Sequence, residues 1–226
     1  MLIGGLQKLT LLDFPERVAC TVFTYGCNLR CPYCHNASLV VDKPNFIKED
    51  EFFSFLNKRV GILDGVCVSG GEPLLNKDIG TFLKKIKDLG YKVKLDTNGT
   101  NPKMLEELIN ENLVDYVAMD VKNSLSKYVE TVGTSVDVDE IAKSIKLLLS
   151  DKVDYEFRTT VVKNLHTEES IKELALMIKG AKRYFLQNFV DSGNLVGYAE
   201  GLSEEEMRTL LNVAKEYVPN TALRGI

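Results

Sequence analysis

The sequence predicts an α/β fold of parallel strands, and three features carry that expectation. Short β-branched runs alternate with stretches whose apolar residues recur at helical spacing. Six such pairs follow one another, which calls for right-handed crossovers between parallel neighbours. No linker, low-complexity tract or fixed-period repeat interrupts the pattern, so residues 1–226 read as one domain. A doubly wound sheet and a partial barrel both satisfy it, and in either one ligands bind at the C-terminal ends of the strands.

Each element has its own local reason. Val18–Tyr25 is a β-branched run and reads as the first strand, followed by a cysteine-rich loop. Lys48–Arg59 places Phe52, Phe53 and Leu56 at helical spacing with polar residues between them. Gly65–Ser69 reads as a short buried strand, and Asp78–Leu89 as a helix that stops at Gly90. Lys92–Asp96 is the third strand. Asn101 then caps a helix whose first residue is Pro102. Asp115–Asp120 and Asp139–Leu149 form the next pair, Tyr155–Val162 and Thr167–Lys179 the one after. Tyr184–Phe189 is the sixth strand. Ser203–Tyr217 is the last helix, with Ser203 and Glu206 in a capping-box pattern.

Composition narrows the function. With 45% hydrophobic and 27% charged residues, the 226-residue chain can bury a core and keep a polar surface. Lys and Arg total 28 against 32 Asp and Glu, a net charge of −4. Sequence-independent nucleic-acid binding needs a broad positive field, which this balance does not supply, so no nucleic-acid partner is expected. The first residues lack a basic region and a small-residue cleavage site, and no stretch approaches the ~20 apolar residues that span a bilayer. A cytoplasmic protein without membrane contact is expected.

The five cysteines are odd in number, and three lie within eight positions, unlike a disulfide framework. Clustered cysteines in a reducing compartment point to metal or redox chemistry. Cys27, Cys31 and Cys34 follow the first strand in the spacing C-x3-C-x2-C. Three thiolates can hold three irons of a four-iron cluster, leaving one iron open to a substrate or cofactor. A structural zinc site with His35 as fourth ligand is the competing reading, although His35 directly follows Cys34. Cys20 and Cys67 fall inside strands and read as small buried hydrophobes.

Other polar words close the later strands. Gly70, Gly71 and Glu72 precede Pro73: glycines admit a close backbone approach, and a carboxylate accepts from an ammonium, though a plain turn would look alike. Asp96, Thr97 and Asn98 end the third strand, where an Asx-type turn is the structural reading. Asp120 and Lys122 end the fourth, and a surface ion pair is the bland alternative. Arg158 sits mid-strand and must meet polar ground or pair, for which Glu156 on the same face is available. His166 reads as a solvated loop residue.

The segment Cys27–Asn36, with aromatic Tyr33 before the third cysteine, resembles the signature of the radical S-adenosylmethionine (SAM) superfamily. The words Y-C-H-N and D-T-N-G are similar to those of glycyl-radical-enzyme activases. The opening I-G-G-L-Q-K, the DFP at Asp13–Pro15 and the closing L-R-G-I most resemble anaerobic ribonucleoside-triphosphate reductase activating proteins. The resemblance covers essentially the whole chain.

That resemblance implies a partial (β/α)6 TIM-like barrel holding a 4Fe–4S cluster on Cys27, Cys31 and Cys34, with SAM on the open iron. It implies that Gly70, Gly71 and Glu72 meet the methionyl amino group and that Lys122 and Arg158 meet SAM. Tyr33, His35 and Asn98 belong to the same cofactor-binding words. Asp96, Thr97 and Asp120 are implied as ligands of a monovalent cation. Pyruvate formate-lyase activases carry a His near the end of the sixth strand; Gln187-Asn188-Phe189-Val190 stands here, which leaves Gln187 as a candidate SAM contact. The implied activity is reductive cleavage of SAM to a 5′-deoxyadenosyl radical that installs a glycyl radical on anaerobic ribonucleotide reductase. A flavodoxin- or ferredoxin-type donor would supply the electron. Pyruvate formate-lyase activation, a small-molecule radical SAM reaction such as that of 7-carboxy-7-deazaguanine synthase, and a zinc-bearing interaction domain are the competing readings.

Overall fold

The computed structural model describes residues 1–40, 45–191, 193, 195 and 197–226. Two compact units interleave along the chain. One comprises Met1–Asn28, Ser38–Thr97 and Lys103–Val117; the other comprises Leu29–Ala37, Asn98–Pro102 and Ala118–Ile226. The class is the expected one, α/β with parallel strands.

In the first unit the strands β1 (Ile3–Thr10), β2 (Ala19–Thr24), β3 (Gly65–Gly70) and β4 (Lys92–Thr97) lie in chain order. β2, β3 and β4 are parallel, with Ala19 opposite Gly65 and Gly65 opposite Lys92. β2 is buried along nearly its whole length, as a near-continuous apolar run between covered faces should be. The helices α1 (Ala37–Val40), α2 (Glu49–Asn57), α3 (Ile79–Asp88) and α4 (Pro102–Asn110) occupy the connections, and β5 (Tyr116–Asp120) follows. Helix α3 ends where Gly90 takes φ 88°, a conformation that favours glycine, so the expected stop holds.

Strand β1 has no counterpart in the sequence reading. It pairs antiparallel with β2 through a register broken by two irregularities, and Gln7, Lys8 and Leu9 are exposed. Its residues show no alternation, so pairing with β2 defines it rather than its own pattern. The DFP word is packing: Phe14 is buried against Tyr116, ring centroids 6.2 Å apart.

The second unit carries α5 (Tyr128–Val132), α6 (Val138–Leu149), β6 (Asp154–Val161), α7 (Glu168–Met177), β7 (Tyr184–Asn188), α8 (Glu204–Lys215) and β8 (Thr221–Arg224). β6, β7 and β8 are parallel, Phe157 facing Tyr184 and Tyr184 facing Thr221. The four-residue β8 is a further addition to the six expected strands. Ser203 and Glu206 form the expected capping box, and Thr167 with Ser170 forms a second one at α7. Among the described residues no helix is long and apolar enough to cross a membrane.

The first unit's aromatic core offers a direct test of packing. Phe82 of α3 stacks on Phe52 of α2 at 5.4 Å and meets Phe53 edge-on at 5.4 Å. Phe82→Ala should destabilise the protein by about 3–5 kcal/mol, read as a lowered urea midpoint at unchanged slope.

Candidate functional site

In the first unit, β2 ends at Thr24 and the chain turns through Gly26, at φ 93°, to reach Cys27. The end of β3 closes directly on that turn. Gly71 N–H donates to the Thr24 carbonyl at 3.0 Å, and Glu72 N–H donates to the Gly26 carbonyl at 2.8 Å. A Cβ on Gly71 would lie 2.0 Å from the Gly26 oxygen, and one on Gly70 2.3 Å from the Thr24 nitrogen. The two glycines permit a backbone-to-backbone approach within the protein.

Glu72 is 1% exposed, and its Oε1 accepts from Leu74 N–H at 3.1 Å and from the Thr97 hydroxyl at 2.8 Å. The first bond caps the short 3-10 turn Pro73–Leu75, so the turn reading is correct alongside any ligand role. Asp96 accepts from the Ser69 hydroxyl at 3.1 Å and pairs with the ammonium of Lys94, which is 1% exposed. Cys67 Sγ stands 3.8 Å from Lys94 Nζ and 3.7 Å from Asp96 Oδ1. Cys67 is buried as expected, yet beside a charged pair rather than among hydrophobes. Lys94 was missed by the sequence reading. Its signal was available: a lysine between Val93 and Leu95, two residues before Asp96 and hence on the same strand face.

The second unit holds the rest of the cysteine loop. Cys34 N–H donates to the Cys31 carbonyl at 3.1 Å, Arg30 N–H to Val132 O at 2.9 Å, and Gly197 N–H to Pro32 O at 2.8 Å. Cys31 is buried and Cys34 partly so, and neither is in a disulfide. Burial raises the Cys31 thiol, while the nearby Lys122 charge pulls the other way. The His35 ring stacks on Phe189, centroids 5.2 Å apart and planes 20° apart, so the residue after β7 supports the loop. Asn188 is tied to Leu202 through both its amide atoms, at 2.8 and 2.9 Å. Asn98 Oδ1 accepts from Thr100 N–H at 3.0 Å and from its hydroxyl at 2.7 Å, the expected Asx-type turn.

Asp120 takes Arg158 Nε on one oxygen at 2.9 Å and Lys122 Nζ on the other at 3.1 Å. Arg158 thus pairs across strands, and Glu156 instead takes both terminal nitrogens of Arg224, at 3.1 and 3.2 Å. Burial raises the Asp120 carboxyl, but the two cations outweigh it and bring it down to about 2. Burial disfavours the Lys122 charge too, and Asp120 still holds it well above its usual range.

His166 is buried, contrary to the expected solvated loop residue. Val162 N–H donates to Nδ1 at 3.0 Å, so the ring hydrogen is on Nε2, which donates to the Lys122 carbonyl at 2.8 Å. Burial lowers its basicity and keeps the ring neutral in that bond. It is a positioning residue for Lys122.

Three thiols on one loop after a strand of a parallel α/β fold are the pattern from which iron–sulfur chemistry is expected. The family model described as Radical SAM superfamily matches residues 21–179, and the chain belongs to that superfamily. It is 36% identical to a candidate glycyl-radical enzyme activating enzyme of Methanocaldococcus jannaschii over 100% of this chain and 96% of that one. It is 25% identical to the pyruvate formate-lyase-activating enzyme of Clostridium pasteurianum over 80% of this chain and 84% of the other. Among solved structures, Streptococcus suis SuiB bound to S-adenosylmethionine matches with a TM-score of 0.71 and 20% identity, over 88% of this chain and 48% of that one. The family's fold is the barrel class expected from the sequence, its cofactors are a 4Fe–4S cluster and SAM, and the chain is an enzyme of the glycyl-radical-activating type. Membership sets aside the zinc reading of the loop.

The residues fit that cofactor pair. The buried hydroxyls of Thr24, in the first unit just before the loop, and Tyr33, in the second unit within it, have no hydrogen-bond partner among the described residues, as expected where a bound group supplies one. No group of three His, Cys, Asp or Glu forms a single-ion site among the described residues; ligands of a four-iron cluster sit on separate irons and are not held to that spacing.

Two outcomes follow from this geometry. A methyl group at Gly71 must displace the Gly26 carbonyl, so Gly71→Ala should lower SAM cleavage on the order of 10–100-fold. Circular dichroism should stay native, and Gly80→Ala, whose methyl meets Leu108 Cδ2 at 3.6 Å, should match the wild type. The depressed Asp120 carboxyl contributes stability that is complete above its unfolded value of 3.8 and lost as pH falls through about 2. Between roughly pH 4 and pH 2 the cluster-free wild type should lose about 1–2 kcal/mol that Asp120→Asn does not lose, measured by urea unfolding across that range.

Proposed function

We propose that this enzyme activates a glycyl radical enzyme, most simply the anaerobic ribonucleotide reductase. The observation that carries the reading is the end-to-end match to a candidate glycyl-radical enzyme activating enzyme, joined to a loop whose three thiols leave one iron of a cluster for SAM. The opening I-G-G-L-Q-K, the DFP and the closing L-R-G-I support the reductase as partner.

When bound, the cluster and SAM supply an electron and a 5′-deoxyadenosyl radical that takes a hydrogen atom from a glycine of the partner. The chain's own residues hold and orient. Cys27, Cys31 and Cys34 ligate the irons. Glu72, fixed by Leu74 and Thr97, accepts from the methionyl ammonium beside Gly70 and Gly71. Lys122 and Arg158 face the SAM carboxylate, and Tyr33, His35 and Asn98 complete the pocket. No general base is needed, and burial excludes water and stray hydrogen donors. Residues 1–226 act as one radical SAM domain in the cytoplasm, with a flavodoxin- or ferredoxin-type donor.

Electron paramagnetic resonance tests the proposal. Anaerobically reduced protein, SAM and the reductase should give a glycyl doublet, absent with Cys31→Ala. SAM cleavage without a doublet on the reductase, but with one on pyruvate formate-lyase, would move the assignment to that partner. Cleavage with neither, and turnover of a pterin, would favour the small-molecule reading.

A further inference from the structure

We propose that this protein needs no monovalent cation, because its own Lys94 takes the role that the D-T-N-G resemblance gives to a bound ion. The inference rests on the reading that SAM is bound at these strand ends. Each residue implied as an ion ligand already has a hydrogen-bond or ion-pair partner in the chain. Asp96 is paired with Lys94 and takes the Ser69 hydroxyl at 3.1 Å. The Thr97 hydroxyl is turned to Glu72 at 2.8 Å. Asp120 is shared between Arg158 at 2.9 Å and Lys122 at 3.1 Å.

The charge balance argues the same way. In the first unit, Asp96 is paired with an ammonium; in the second, Asp120 faces two cations. An added K⁺ at Asp96 would be repelled by Lys94 at close range. It could bind only by displacing that ammonium, which is 1% exposed on β4 between Val93 and Leu95. Burying an ammonium without its carboxylate is strongly unfavourable, so the pair resists exchange. Cys67, register partner of Lys94 on β3, offers a thiol on the same face but no compensating charge.

Thermal unfolding of the cluster-free protein and SAM cleavage by the loaded enzyme, each in KCl and in tetramethylammonium chloride at equal ionic strength, test the proposal. The wild type should show no K⁺-dependent rise in melting temperature, and cleavage rates within about twofold of each other. Lys94→Met removes the ammonium beside Asp96 and should acquire a saturable response to K⁺ in both measurements, which the double variant Lys94→Met with Asp96→Asn should lose. A wild type whose melting temperature and rate climb with K⁺ would overturn the proposal, as would a folded Lys94→Met as indifferent as the wild type. Should Lys94→Met fail to fold, the wild-type titration alone decides. Indifference to K⁺ without a glycyl doublet would sink the activation reading and leave this one standing.

Discussion

The structure depends on how tightly the end of β3 closes on the turn after β2. Two backbone hydrogen bonds, Gly71 to Thr24 and Glu72 to Gly26, fasten the carbonyls just before Cys27. Only residues without a Cβ permit that separation, since any side chain on Gly70 or Gly71 would collide with main-chain atoms. Cys27 and the buried Glu72 are thereby set by the same pair of contacts. A motif that resembles a ligand cradle is, at the level of the chain, a clamp between two strand ends.

Buried charge is paired within each unit. Glu72 and Asp96 in the first unit, and Asp120 and Glu156 in the second, each have an internal donor; Lys94 and Lys122 lie two residues from their carboxylates, whereas Thr97, Arg158 and Arg224 reach theirs from distant parts of the chain. Buried charge is tolerable only when paired, so each pair fixes the directions of its own side chains. The neutral His166 extends the scheme to the main chain by holding the Lys122 carbonyl.

How much of this was legible depends on whether the cause is local. Helical spacing and β-branched runs marked the six central strands and their helices, because burial of one face writes a period into the sequence. The cysteine spacing and the GGE, DTN and D-V-K words marked the strand ends. Strand β1 left no period, since Ile-Gly-Gly-Leu-Gln-Lys-Leu-Thr is strand only through its partner. Arg158 could be given Glu156 from sequence alone, whereas Asp120 lies 38 residues away and becomes a partner only through folding. His166 was missed for the same reason, since its burial is a tertiary fact, whereas Lys94, between Val93 and Leu95 on the face of Asp96, was open to a sequence reading.

Strand β1 also bears on how the protein behaves in bulk. β2 is among the most apolar strands, and without a neighbour on that side its row of amides and carbonyls would template pairing with another chain. An antiparallel cover with a broken register, bearing exposed Gln7 and Lys8, offers a poor template in its place. Residues 3–10 thus put a polar, irregular edge where the apolar strand would otherwise be the margin of the sheet.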